Sequence, residues 1–368
     1  MSKQIRDYRL IGPNNKIAVQ KGLASSPEWY QTEIPKKRMK ELMKRSDGPA
    51  ILNTLLWLGL LIGSGVVGYQ YWGSDTWWVS LIAFAFYGIL YSAADARFHE
   101  VSHGTTFKTN WMNEALYLMT SFMMLRGATV YRWSHQRHHT DTYVVGRDNE
   151  MYYRPGFIRK LYLSLINLYG PPSQFKRLFR NALGELHPEE KEYVPESEYR
   201  KVIWEARACI LIVLAVFGWS LITLDIRPAM YFVTPLFYGF WLYMMYGLPQ
   251  HIGLHEDVLD HRLNTRTIYL NPFLRFLYMN MNYHIEHHMF PLVPYHALRK
   301  LHEEMKHDCP APNPNLFSAF GEVIHAHRMQ AKDPFYVIER PLPPTAKPYV
   351  YGPSPYLKMV NESNRQTG

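Results

Sequence analysis

Long stretches without a charged side chain limit what this chain can fold into. Residues 50–72 and 77–94 carry no charge and are separated by a few residues around 73–75. Residues 202–224, uncharged from Ala208 onward, and 228–248 form a second pair divided by 225–227. A bilayer core about 30 Å thick takes roughly 20 apolar residues in helical form. The pattern therefore predicts four transmembrane helices in two hairpins. Buried helices of a soluble protein are the competing explanation, and four such runs in two pairs argue against it. The expected fold class is an all-α integral membrane protein with a helical cap outside the bilayer.

The charges orient it. Lys36, Lys37, Arg38, Lys40, Lys44 and Arg45 precede the first run, while the two hairpin tips hold one basic residue, Arg227. The segment between the hairpins and the C-terminal region are also basic. The positive-inside rule then places the N-terminus, the middle segment and the C-terminus in the cytoplasm. The net charge of +9 reads as membrane-proximal surface, because no zinc-finger spacing or recognition-helix pattern accompanies it. The only two cysteines, Cys209 in an apolar run and Cys309 in a proline-rich one, indicate no disulfide framework. Residues 1–45 are polar and lack the apolar core of a signal peptide.

Three parts follow: a cytosolic N-terminal segment (1–49), a membrane domain (50–305) and a proline-rich cytosolic tail (306–368). Residues 111–125 predict an interfacial or re-entrant helix, and 156–183 an amphipathic surface helix. The tail predicts little regular structure apart from a helix at 316–330.

Eight of the 17 histidines fall in three tight clusters. His99 and His103 form HEVSH; His135, His138 and His139 form HQRHH; His284, His287 and His288 form HIEHH. Residues three and four apart share one helix face, so each cluster presents its imidazoles to one side. The clusters follow the second run, the re-entrant segment and the fourth run, all on the predicted cytoplasmic side, and can converge. Eight imidazoles exceed the needs of one ion and suit two. Imidazole accepts zinc, copper, iron and nickel alike. His251 and His255, in QHIGLHED after the fourth run, face the same side and join the candidates. His261 lies in a charged loop and is a weaker one. His187, His296, His302, His307, His325 and His327 are read as surface or packing residues. A ligating histidine needs a partner on its other ring nitrogen, and Glu100, Asp141, Glu256 and Glu286 stand beside the clusters.

The set HEVSH, HQRHH and NYHIEHHMFP, interleaved with membrane hairpins over roughly residues 50–305, resembles the membrane-bound fatty acid desaturase and hydroxylase family. That resemblance implies two ferrous ions held by the eight box histidines, with O2 as co-substrate. It also implies one more ligand after the fourth run, for which His255 is favoured and His251 kept as a candidate. The reaction implied is desaturation or hydroxylation of an alkyl chain of a fatty acyl lipid. The segments YRLIGP, WSHQRHHTDT and NYHIEHHMFPLVPYHAL look closer to bacterial members of the rhizopine-oxygenase type. They suggest a bacterial inner membrane and, as an alternative, hydroxylation or oxidative demethylation of a small molecule.

The sequence has no His-Pro-Gly-Gly haem motif, no dinucleotide fingerprint and no cysteine cluster. A separate ferredoxin, rubredoxin or cytochrome with its reductase is the expected electron donor. Metal transport fits poorly, because transporter sites lie near the bilayer midplane on broken helices. A structural zinc fits poorly too, because such sites are four-coordinate.

Overall fold

The computed structural model describes residues 6–151, 163 and 167–353. Among these, the regular structure is helical, and β pairing is confined to the isolated bridges Thr267–Tyr283 and Ile268–Asn313. The N-terminal segment carries α1 (Pro13–Gln20) and α2 (Lys36–Leu42), then the chain enters α3 (Asp47–Gln70). A short turn reverses it into α4 (Trp77–Ser92), which continues after a slight break as α5 (Ala94–Ser102). Next come α6 (Asn110–Met124), α7 (Ala128–Thr140), α8 (Gly170–Ala182) and α9 (Tyr199–Thr223).

Three stretches are long and apolar enough to cross a membrane: Lys36–Gln70, Trp77–Ser102 and Glu196–Thr223. Their outer faces carry Leu52, Leu55, Ile62, Leu81, Ile82, Leu211, Leu214 and Leu221, all exposed. An apolar belt of this extent has no counterpart on an ordinary soluble surface. Trp72, Trp77, Trp78 and Trp219 are exposed near the hairpin tips, where the amphipathic indole favours the membrane interface.

The fourth apolar run departs from expectation. Residues 228–248 do not form one helix. They fold as α10 (Arg227–Tyr231), α11 (Pro235–Tyr238) and α12 (Trp241–Gly247), followed by a 3₁₀ turn at Leu248–Gln250. Pro228 and Pro235 each lack a backbone N–H and clash with the preceding turn, so uniform apolarity was a poor guide to helix continuity. The carbonyls freed by these breaks are met by side chains. Tyr238 Oη donates to Met230 O at 2.8 Å, Tyr87 Oη to Tyr231 O at 2.7 Å, and Asn167 Nδ2 to Leu236 O at 2.8 Å. Broken backbone persists in an apolar setting only with such partners. The broken run also presses closely on α4: a Cβ placed on Gly239 would come within 2.0 Å of the Gly88 backbone.

Within the first hairpin, Trp57 is fully buried and its Nε1 donates to Leu90 O at 2.7 Å. The Arg97 guanidinium lies 4.4 Å from that indole and donates to Ala93 O and Leu277 O. It ties the hairpin to α14 (Pro272–Leu277), which follows the short α13 (His261–Asn264). The rest of the chain comprises α15 (His284–Met289), α16 (Leu298–Met305) and α17 (Leu316–Gln330).

The expected helices at 111–125 and 316–330 are present as α6 and α17. Of the expected helix at 156–183, α8 supplies the C-terminal half; residues 156–162 and 164–166 lie outside the described residues. The tail is irregular after α17 but firmly attached. Asp308 accepts from Tyr30 Oη at 2.6 Å and Thr32 Oγ1 at 2.7 Å, and pairs with the buried Arg262 at 3.0 Å. Both ends of the chain thus close over the loop that carries residues 251–268.

Candidate metal centre

Four helical pieces converge beyond the long helices and bring nine histidines together. His99 sits in the last turn of α5 and His103 follows it. His135, His138 and His139 occupy the C-terminal turns of α7, and His284, His287 and His288 line α15. His251 leaves the 3₁₀ turn after the broken run. The nine form two groups: His99, His103, His135, His139 and His287 in one, and His138, His251, His284 and His288 in the other. Within each group the nitrogens that can act as ligands lie within 4.8 Å of one another.

The nitrogen spacings are informative. His103 Nε2 lies 3.1 Å from His135 Nε2, which lies 3.1 Å from His139 Nε2, itself 3.2 Å from His287 Nε2. In the second group, His284 Nε2 lies 3.2 Å from His251 Nε2 and 3.1 Å from His288 Nε2. Two imidazole nitrogens about 2.1 Å from one ion are roughly 3.0 Å apart at a right angle and about 3.4 Å apart at a tetrahedral one. The observed spacing falls between these limits.

Tautomers point the same way. His138 Nδ1 faces Asp148 Oδ2 at 2.9 Å, and His135 Nδ1 faces Glu150 Oε1 at 3.3 Å. An ionised carboxylate only accepts, so both imidazoles carry their proton on Nδ1. His251 Nδ1 lies 2.8 Å from the carbonyl oxygen of Asn264, another pure acceptor. His288 Nδ1 is 3.2 Å from Thr142 Oγ1, whose own proton goes to His138 O at 2.7 Å. Each of these four rings therefore turns its Nε2 inward, and nitrogens crowded together in this way call for a cation between them.

Burial keeps the rings neutral, the form that ligates a metal. His103 is lowered to about 4 by burial, and His135, His139, His251, His284, His287 and His288 are all held well below the ordinary histidine range, first by burial and then by neighbouring histidines. At His138 burial again acts downward and is the largest single effect, but the Asp148 and Glu150 carboxylates and the hydrogen bond to Asp148 together exceed it and lift the ring to about 9. Here a metal on Nε2 would take the place of the second proton. A closely packed set of neutral nitrogen donors fits first-row transition ions.

Of the ten histidines singled out in the sequence, the structure gathers nine and places His255 apart. Its Nε2 lies 3.2 Å from Glu339 of the tail, four residues beyond His251 but past the turn at Gly253, whose φ is +79°. That turn carries His255 away from the cluster, and His251, kept as the other candidate for the ligand the resemblance implied, takes the inward position. His255→Ala should leave metal content unchanged and alter stability by no more than about 0.5 kcal/mol; metal analysis of the purified variant checks this.

The orienting carboxylates also differ from expectation. Asp148 and Glu150 are the ones that reach cluster histidines, from a loop eight to ten residues past the end of α7. Glu100 accepts from Tyr295 N, Asp141 from Ser25 N, and Glu256 from Tyr8 Oη. Glu286 is fully buried between His302 Nδ1 at 2.5 Å and Thr267 Oγ1 at 2.6 Å, so it braces α15 against α16. His302, expected as a surface or packing residue, is buried in that contact. No periodicity signals Asp148 or Glu150; an acidic pair just after a histidine box is the only hint. His261 stands beside the four-histidine group, its ring centroid 5.2 Å from that of His288.

Helices long enough to cross a membrane carry at their ends converging histidine groups able to hold metal ions. The match to known families is specific: the fatty acid desaturase family covers residues 75–320. The chain belongs to that family. It is therefore a membrane oxidoreductase of the desaturase and hydroxylase class, and all nine gathered histidines fall within the matched region.

Proposed function

We propose that the chain is an O2-dependent oxidoreductase whose two histidine groups each hold one ferrous ion, and that it desaturates or hydroxylates an alkyl chain, a fatty acyl lipid above all. The observation that carries this reading is the pair of buried imidazole groups with nitrogens turned inward. Two irons held there would supply O2 activation and hydrogen removal from an unactivated C–H bond. The protein contributes position and shelter. Asp148, Glu150, Asn264 and Thr142 fix the rings. Tyr131 lies over His135 with centroids 5.2 Å apart and Tyr143 over His251 at 5.4 Å, and both keep water from that side. Whether a double bond or a hydroxyl results depends on where the carbon is held.

The family match supports the lipid substrate, since it is the fatty acid desaturase family that covers residues 75–320. The active site faces the cytoplasm of a bacterial inner membrane in this reading, and the broken run between 227 and 250 completes the second hairpin. Electrons come from a separate carrier protein with its reductase, since both cysteines are buried singly.

One observation favours a second reading, oxidation or demethylation of a small polar molecule by a rhizopine-oxygenase-like enzyme. Asp95, one turn before His99, is buried with Arg126 Nη1 at 3.1 Å. Buried charge is costly unless paired, and this pair is a candidate anchor for a polar group. The test is a comparison of cells expressing the protein with a ferredoxin and its reductase against a His138→Ala control. A new unsaturated or hydroxylated fatty acid only with the wild type is the expected result. An unchanged lipid profile from iron-loaded protein, with reduction by the carrier verified, sinks the lipid reading and favours the second.

A further inference from the structure

The N-terminal segment brings a tryptophan against the metal centre from outside. Trp29 is half-buried, and its ring lies flat on His261, with centroids 4.2 Å apart and planes 6° from parallel. His261 is 3% exposed, and its ring is the one 5.2 Å from His288 in the four-histidine group. The other edge of Trp29 reaches the five-histidine group. Its Nε1 donates to the carbonyl of Thr140 at 3.0 Å, and Thr140 directly follows His139 in the chain. A single side chain at the protein's edge is thus one ring away from one group, and one hydrogen bond and one peptide unit away from the other. Packing of the indole against Ala18, Leu23, Val144 and Leu259 accounts for its burial but not for this double connection.

We infer that Trp29 and His261 form the route by which electrons reach the metal centre from a one-electron iron–sulfur or haem carrier protein docked over Trp29. The inference rests on the di-iron reading above. Electronic coupling falls steeply with each through-space gap, and stacked rings and hydrogen bonds keep the gaps short. In each transfer the carrier's iron loses one electron and a ferric ion of the centre gains it. No bond forms or breaks along the route, neither ring changes oxidation state, and two transfers serve one turnover. A partly exposed tryptophan is also among the residue types enriched where protein partners dock.

The test uses full-length protein in lipid nanodiscs, oxidised and then mixed with whichever of reduced plant-type ferredoxin, rubredoxin or cytochrome b5 reduces the wild type. Iron reduction is followed optically, beside reduction by dithionite and an iron assay. Trp29→Leu should retain its iron and its dithionite rate, yet lose an order of magnitude in the reduction rate at saturating carrier. Trp29→Phe should recover most of that loss, because it keeps a ring over His261. A wild-type saturating rate in Trp29→Leu overturns the route, and so does a change confined to the carrier concentration needed for half-saturation. If Trp29→Leu sheds iron, His261→Leu decides by the same comparison: an unchanged rate overturns the route and a slowed one supports it. Wild-type protein that holds no iron would sink the di-iron reading instead.

Discussion

His138→Ala and His287→Ala proteins should reach the membrane in wild-type amount and turn over more than about 100-fold more slowly than the parent, beyond the 10–100-fold seen for outer partners of a metal site. The two substitutions strike different groups, so their metal contents should differ even though both abolish turnover. His138 belongs to the group of four, which falls to three; His287 belongs to the group of five, which keeps four. Iron should therefore fall further in His138→Ala. Membrane insertion is spared because neither residue lies in a long apolar helix. Each imidazole is buried, and its loss leaves a hollow of imidazole size, worth a few kcal/mol of stability at most in a site that can take up water. Iron analysis, membrane yield and turnover of the three proteins check the expectation. Turnover retained in both variants would overturn the assignment of these groups as the reactive centre.

Much of this site is legible in the sequence because its histidines obey helix periodicity. His135 and His139 are four apart, as are His284 and His288, and tight local spacing survives whatever the rest of the fold does. The partition into two groups is not local. His138 leaves its neighbours on α7 to join His251, and His287 crosses to the group of His99 and His103. That sorting depends on how α5, α7 and α15 cross, which no spacing encodes. The choice between His251 and His255 is not local either: the resemblance implied a ligand after the fourth run without fixing which, and the turn made by Pro249 and the left-handed Gly253 is what turns His251 inward and His255 away. Three long apolar helices were readable from the absence of charge alone. The broken fourth run has the same composition, and only its prolines distinguish it. The carboxylates at 148 and 150 were invisible because a loop, not a helix face, returns them to the rings they hold.

Asp148→Asn should lower metal affinity or turnover by about 10–100-fold, although the substitution changes almost no volume. Asp148 is fully buried, and its two oxygens are in use: Oδ2 accepts from His138 Nδ1 at 2.9 Å and from Tyr143 N at 2.7 Å, while Oδ1 accepts from Glu150 N at 2.7 Å. An amide has one oxygen and one NH2 group. Whichever way Asn turns, one of these donors faces another donor. If the amide nitrogen faces His138, that ring moves its proton to Nε2 and its inward lone pair is lost, a tautomer fault known to disable otherwise intact sites. If the amide nitrogen faces Glu150 N, the loop that carries both carboxylates is disturbed. Glu150→Gln should do less, because its contact with His135 is 3.3 Å and Glu150 is partly exposed, so water can replace it. Asp148→Asn should thus deplete the four-histidine group first, leaving the other group loaded. Iron titration of both variants beside the wild type decides the point. An Asp148→Asn protein with full iron and unchanged turnover would mean that packing alone fixes the His138 tautomer, and an equal loss in Glu150→Gln would mean that the loop, rather than the single buried oxygen, is what holds the site.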